Sequence, residues 1–144
     1  MSTAPDRRAW RDAAGRPVPP GSPLAVEQPP EVDRTPEQAL VLASQLLADG
    51  LPFYAHDVLE AAWKAAPAGE RELWQGLAQV CVGLTHVQRD NAAGAARLLR
   101  RGAGLLRVAA GAHGVDPGAV AGWAEQAAAA VDAGTPPATL RLRD

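Results

Sequence analysis

The chain has 144 residues, 47% of them apolar, with 14 basic residues against 16 acidic ones and a formal net charge of −2. That length supports one domain with a real core and leaves too little for two. The lack of a global positive field argues against obligatory nucleic-acid binding, which rests on clustered Lys and Arg, and no stretch reaches the roughly 18 apolar residues that read as a membrane span.

One Phe and one Tyr against abundant Ala and Leu favour helices over sheets. The expected fold class is all-α: a compact bundle of about five helices, made of two helical hairpins plus a C-terminal helix, with an extended Pro-rich N-terminal arm. The start, MSTAPDRRAW, lacks the apolar core of a signal peptide, so a cytoplasmic setting is expected. The lone cysteine, Cys81, can form no internal disulfide and lies in an apolar helical run, as a small buried hydrophobe would.

Residues 1–34 carry seven of the 13 prolines, interspersed with five basic and five acidic residues. Such a composition forms neither a stable helix nor a packed core, so the segment reads as an extended arm, mostly disordered in isolation. Trp10 is its one aromatic: either a solvent-exposed ring or an anchor for a surface or partner chain. The helical domain is expected over 35–134. Thr35-Pro36-Glu37-Gln38 places a hydroxyl at the N-cap, proline at the first helical position and an amide at the third, which is a capping box.

It predicts a first helix over about 36–49, with Leu40, Val41, Ala43 and Leu47 inward and Asp49-Gly50 as the stop. Pro52 opens a second helix that ends near Ala66-Pro67, with Phe53, Leu59, Ala62 and Trp63 on its core side. A third helix follows over about 70–89. Its apolar residues, Leu73, Trp74, Leu77, Val80, Cys81, Val82, Leu84 and Val87, fall nearly all round it, the pattern of a central helix. Asp90-Asn91 makes a turn and N-cap for a fourth helix over about 92–110, with Ala95, Leu98, Leu99, Leu105, Leu106 and Val108 inward. Glycines 94, 102 and 104 imply close backbone approach to the third helix. A fifth helix over about 118–133 shows a narrow stripe of Val120, Trp123, Ala127 and Val131 and is expected to be peripheral. The tail, 135–144, should be extended, with Leu140 laid on the bundle. A faint internal repeat maps Asp49-Gly50, Ala55 and Leu59 onto Asp90-Asn91, Ala95 and Leu99, so the second hairpin echoes the first.

The second and third helices carry polar groups where Leu would be expected. Phe53, His56, Glu60 and Trp63 share one face, as do Gln75, Gln79, Val82 and His86. An antiparallel pair joined by a short turn would set Trp63 near Gln75, Glu60 near Gln79, and His56 level with Val82 to His86. Three readings compete. In the first, the cluster is a buried hydrogen-bond network that fixes helix register. In the second, His56, Glu60 and His86, with Asp57 as a further donor, bind a divalent metal. In the third, a partly buried Glu60 with a raised pKa works with a histidine as an acid–base or ligand pocket. Arg97, Arg100, Arg101 and Arg107 give the fourth helix a basic side, read as a solvated face or, through Arg97 and Arg101, an anion or RNA contact. His113 reads as a linker residue, and Arg89-Asp90-Asn91 as a helix end followed by a cap.

FYAHDVLEAAW, ERELWQGLAQVCVGLTHVQRDN and GAARLLRRG resemble the bacterial family catalogued as domain of unknown function 309, over about residues 35–110, and RDAAGRPVPPG looks like the arm of its actinobacterial members. The resemblance implies a compact all-helical domain in which His56, Glu60, Trp63, Gln75, Gly76, Gln79 and His86 fall on motif positions. Members tend to have His-Glu where this chain has His56-Asp57, and Arg-Gly-Asn where it has Arg89-Asp90-Asn91. No activity is established for the family. The function expected is therefore a helical domain whose polar seam is a structural network or small-ligand site. The alternatives are a metal-dependent, hydrolase-like enzyme built on the His/Glu cluster, and a protein-interaction or homo-oligomer scaffold that uses the arm.

Overall fold

Helix ends decide this architecture, and three of them are built the same way. In the computed structural model, which describes residues 9–144, the helices are α1 (Pro36–Ala48), α2 (Pro52–Ala65), α3 (Arg71–Gln88), α4 (Ala92–Arg107) and α5 (Pro117–Asp132), with a short 3₁₀ turn at Ala68–Glu70 leading into α3. After α1, α3 and α5 the chain turns through a left-handed residue, Gly50 (φ 74°), Asp90 (φ 57°) and Gly134 (φ 78°). The next amide then donates back to the carbonyl five residues earlier: Leu51 to Leu46, Asn91 to His86, Thr135 to Ala130. This is the Schellman arrangement, which satisfies carbonyls a helix end would otherwise orphan.

The predicted starts hold as well. Thr35 and Gln38 form the reciprocal capping box of α1, and Asn91 caps α4 by accepting from Gly94. Gly50 and Asp90 occupy the same position in the two hairpins, which places the internal repeat at an offset of 40 (90 − 50) throughout. Ala55 and Ala95, and Leu59 and Leu99, are fully buried equivalents.

Each helix packs mainly on its neighbour in sequence, and α3 with α4 makes the closest pair. Three glycines explain that closeness. A Cβ on Gly102 would lie 2.7 Å from Val80 Cγ2 and 3.1 Å from the Val80 backbone nitrogen, and one on Gly76 or Gly83 would collide with Leu106 or Leu99. Gly104 has open space and serves no such contact. Leu59, Leu77, Leu99 and Trp74 form the centre of a single apolar core, each buried leucine contributing about 1.5–3 kcal/mol. Cys81 belongs to it, and burial pushes its thiol up to about 12, so it is an inert packing residue.

Four expectations are corrected. Val41 and Val108 are exposed, the latter because α4 stops at Arg107. The fifth helix is not peripheral: Ala121, Ala124 and Ala128 are fully buried against α4, alanines widening its interior stripe by permitting close approach. Phe53 and Trp63 are only partly buried. The arm, finally, is not simply extended, since residues 12–16 fold a turn that is held against the bundle by Tyr54 and Arg89.

The tail lays down Leu140 as expected, and Leu142 with it, both buried. Arg143 ends the run with hydrogen bonds to both carboxylate oxygens of Glu37 in α1 and to the carbonyl of His113. His113 sits in a tight hairpin turn between Ala112 and Val115, with φ of 53° at His113 and 78° at Gly114, the two positive values of a type I′ turn. No helix is long and apolar enough to cross a membrane among the described residues.

Asp90 holds a conformation that a side chain opposes by about 1–2 kcal/mol, reduced for Asp by its short polar group. Asp90→Gly should therefore stabilise the protein by about 0.5–1 kcal/mol in urea unfolding, with the slope unchanged. A loss of stability would mean that the aspartate makes a favourable contact there.

Candidate functional site

The polar stripes of α2 and α3 do lie side by side, and guanidinium groups mark both ends. Arg71, at the start of α3, stands over the Trp63 ring at 5.9 Å, and Arg89, just past its end, stands over Phe53 at 5.7 Å. Positions 71, 75, 79, 82, 86 and 89 thus form one stripe of α3 that runs antiparallel to 63, 60, 56 and 53 of α2. The sequence places the helices in this register through the short connection at residues 66–70.

The stripe is not buried, however. His56, Glu60, Trp63, Gln75, Gln79 and His86 are all half-buried, whereas the interior face of α2 is Tyr54, Ala55, Val58 and Leu59. The apolar rings that suggested an interior seam are covered by cations instead, which lie well on an aromatic face while keeping their charge in water. The constellation is therefore an open flank between α2 and α3.

Its hydrogen bonding is local to each helix. Glu60 Oε2 meets His56 Nε2 at 2.8 Å and its Oε1 meets Lys64 Nζ at 3.0 Å, both at i,i+4, while Asp57 Oδ1 is 3.5 Å from His56 Nδ1. Burial acts to lower the pKa of His56, but the neighbouring Asp57 and Glu60 outweigh it and the net shift is upward. Glu60 is lowered, first by its hydrogen bond from Lys64 and, against its partial burial, by the charges of His56 and Lys64. This overturns the expected raised Glu60, since cations on both sides hold the carboxylate ionised. His86 belongs to another network. Asn91 commits Oδ1 to the Gly94 amide, so its Nδ2 faces His86 Nδ1 at 2.9 Å. That assigns Nδ1 as acceptor and places the proton of the neutral ring on Nε2.

Because His86 is tied to the α4 cap, the expected metal trio of His56, Glu60 and His86 does not assemble. No group of three or more His, Cys, Asp or Glu side chains among the described residues is arranged to hold a metal ion. Of the expected network, Glu60 pairs with a histidine, His56, within α2, and no hydrogen bond joins it to Gln79 across the two helices. The carboxamides of Gln75 and Gln79 make no hydrogen bond at all among the described residues. On α4, Arg100 is used by Asp132 and Arg107 by Glu125. Arg97 and Arg101 stay exposed one turn apart.

Two features escaped the sequence reading. His113 reaches back to Glu70, with Nε2 2.7 Å from the same Oε1 that accepts from the Trp74 indole, so the linker histidine clasps the start of α3. The arm, in turn, closes the Phe53 end of the flank. Gly15 (φ 78°) rests on the Phe53 ring so closely that any Cβ there would overlap it. The hydroxyl of Tyr54 donates to the Asp12 carbonyl at 2.5 Å and Arg89 Nε donates to the Ala14 carbonyl at 3.0 Å. Burial, with Asp12 nearby, pushes Tyr54 up to about 12. Asp-x-x-Gly followed by the chain's only Phe far downstream gave no signal that these would meet.

Residues 40–98 match the family model described as Domain of unknown function (DUF309). Over 56 residues the chain is 39% identical to the uncharacterized protein YpuF of Bacillus subtilis (strain 168), a match that covers 38% of this chain and 32% of that protein. The chain thus spans about a third of the curated relative it matches. No solved structure matches. The family segment runs from inside α1 to inside α4, so it contains every residue of the α2–α3 flank and none of the arm.

His56 favours its charged form in the folded chain, so its contribution is fully present below the ordinary histidine value of 6.5 and is lost as pH rises through the raised value. Glu60 contributes above the ordinary value of 4.5 and loses its contribution as pH falls through the lowered one. The pair should be most effective between about pH 4.5 and 6.5. The stability difference between wild type and His56→Ala should therefore shrink from pH 5.5 to pH 8, and it should stay under about 1 kcal/mol because Glu60 is solvent-screened. Urea unfolding of both proteins at the two pH values, with and without added salt, checks this.

Proposed function

We propose that the α2–α3 flank is a binding surface for a polar ligand, in a cytoplasmic helical domain without catalytic machinery of its own. The observation that carries this reading is the pair Gln75 and Gln79. Both carboxamides stand half-buried on the open face of the most enclosed helix, and neither has a hydrogen-bond partner among the described residues. No buried side-chain nitrogen or oxygen among the described residues lacks a partner, so both carboxamides reach water and are committed to no protein group. Two carboxamides one turn apart offer donors and acceptors together, which suits ligands with amide-like edges. The Nε2–H of His86 extends that row, and the aromatic rings of Phe53 and Trp63 bound it.

The enzymatic alternative draws less support from the same geometry. Glu60 is held ionised by Lys64 and His56, which unfits it as a proton donor near neutral pH, and the two histidines of the flank are engaged in separate networks. Cys81 is fully buried with a raised pKa and is no nucleophile. A single free thiol suits a reducing compartment.

If the amides serve a ligand, their removal leaves the fold alone. Gln75→Ala/Gln79→Ala should alter unfolding free energy by no more than about 0.5 kcal/mol, as unpartnered surface groups do. The same variant should lose the chemical-shift perturbations that a panel of small amides, amino acids and short peptides produces in the backbone amide resonances of α2 and α3 in the wild type. A destabilisation above about 1.5 kcal/mol would show instead that the amides hold the structure together.

A further inference from the structure

The flank already binds one polypeptide, its own arm, and does so the way a receptor binds a foreign chain. Tyr54 and Arg89 touch residues 12–16 only through the carbonyls of Asp12 and Ala14, and Arg11 adds a bond of 2.7 Å to the carbonyl of Gly15 while standing 5.5 Å over the Phe53 ring. The turn is shaped from within, since Asp12 Oδ1 accepts from the amides of Ala14 and Arg16. What the bundle requires of its occupant is thus a turn of that shape with glycine where the ring presses, not a particular set of side chains.

Apolar contacts hold the arm only in part. Ala14 is buried and Val26 packs against the core, whereas Trp10 is 48% exposed, Leu24 67% and Val32 58%, so three of its larger apolar groups add little anchoring. The following stretch, residues 28–34, bridges a cleft of about 490 Å³ whose floor includes Tyr54, Val58 and Ala61 of α2. The arm is therefore fastened at the 12–16 hook and leads into the bundle at the Thr35 cap. The platform residues Phe53, Tyr54 and Arg89 lie inside the family segment 40–98, and the hook lies outside it.

We propose that the Phe53 end of the α2–α3 flank is a peptide-binding site with residues 12–16 as its resident occupant, exchangeable for an Asp-x-x-Gly turn presented by a partner polypeptide. The inference rests on reading the flank as a binding surface and names the ligand class at one end of it. A tethered occupant acts at an effective concentration on the order of millimolar, so a partner gains entry only where the hook is weakened or the partner is itself held nearby. The arm then sets a threshold for binding.

The test uses the full chain and a fluorescently labelled peptide of sequence WRDAAGRPV, residues 10–18. Gly15→Val should drive the hook off the ring, read as faster tryptic cleavage after Arg11 with unchanged helical circular dichroism. Should that variant not fold, Asp12→Ala replaces it, removing the carboxylate that shapes the turn while keeping the Arg11 cleavage site. By fluorescence anisotropy the peptide should bind the hook-released protein at least tenfold more tightly than wild type. The same peptide bearing Gly15→Val should not bind, and adding Tyr54→Phe to the hook-released protein should weaken binding several-fold. A released hook with no peptide binding overturns the proposal, as does trypsin resistance equal to wild type in both variants. Neither result touches the reading of Gln75 and Gln79, which stands or falls on their unfolding energetics.

Discussion

The approach of α4 to α3 at glycine distance fixes the rest of the molecule. Gly76, Gly83 and Gly102 remove side chains at the crossing, so Val80, Leu99 and Leu106 meet backbone directly. Close contact of that kind tolerates little sliding, since interiors pack near crystal density. With α3 pinned against α4 on one side and paired with α2 on another, only one face of it remains open, and that face carries the glutamines. The location of the candidate site thus follows from the packing of residues that never touch it.

Helices, caps and stops were legible because each has a local chemical cause. Thr35 with Gln38, Pro52, Asn91 and the left-handed stops are decided within one turn of chain. Apolar periodicity identified most of the core, from Leu40 and Leu59 to Leu77 and Leu99, but misplaced Val41, Val108, Phe53 and Trp63. The side-by-side stripes of α2 and α3 were also readable, because a short turn leaves antiparallel neighbours little choice of register.

What could not be read was which side of α2 faces inward: at about 100° per residue the 53/56/60/63 stripe lies about 130° round the helix from 55/58/59/62, and both carry apolar groups. Phe53 and Trp63 pulled the interpretation toward the first. Their rings are satisfied by Arg11, Arg89 and Arg71, two of which come from outside the helix pair's apolar pattern, so hydrophobicity alone misplaced them. The hook failed to show for a related reason. It is held by main-chain carbonyls, and every sequence offers those equally, so no composition or periodicity marks the residues that will use them.

Arg143 joins the last residues of the chain to Glu37 in the first turn of α1 and, through the His113 carbonyl, to the turn before α5. The tail thus returns to the first turn of α1. The two ends of the helical unit leave from one locality, as a domain must if it is to be spliced into another protein or reopened at a different loop without rebuilding its core.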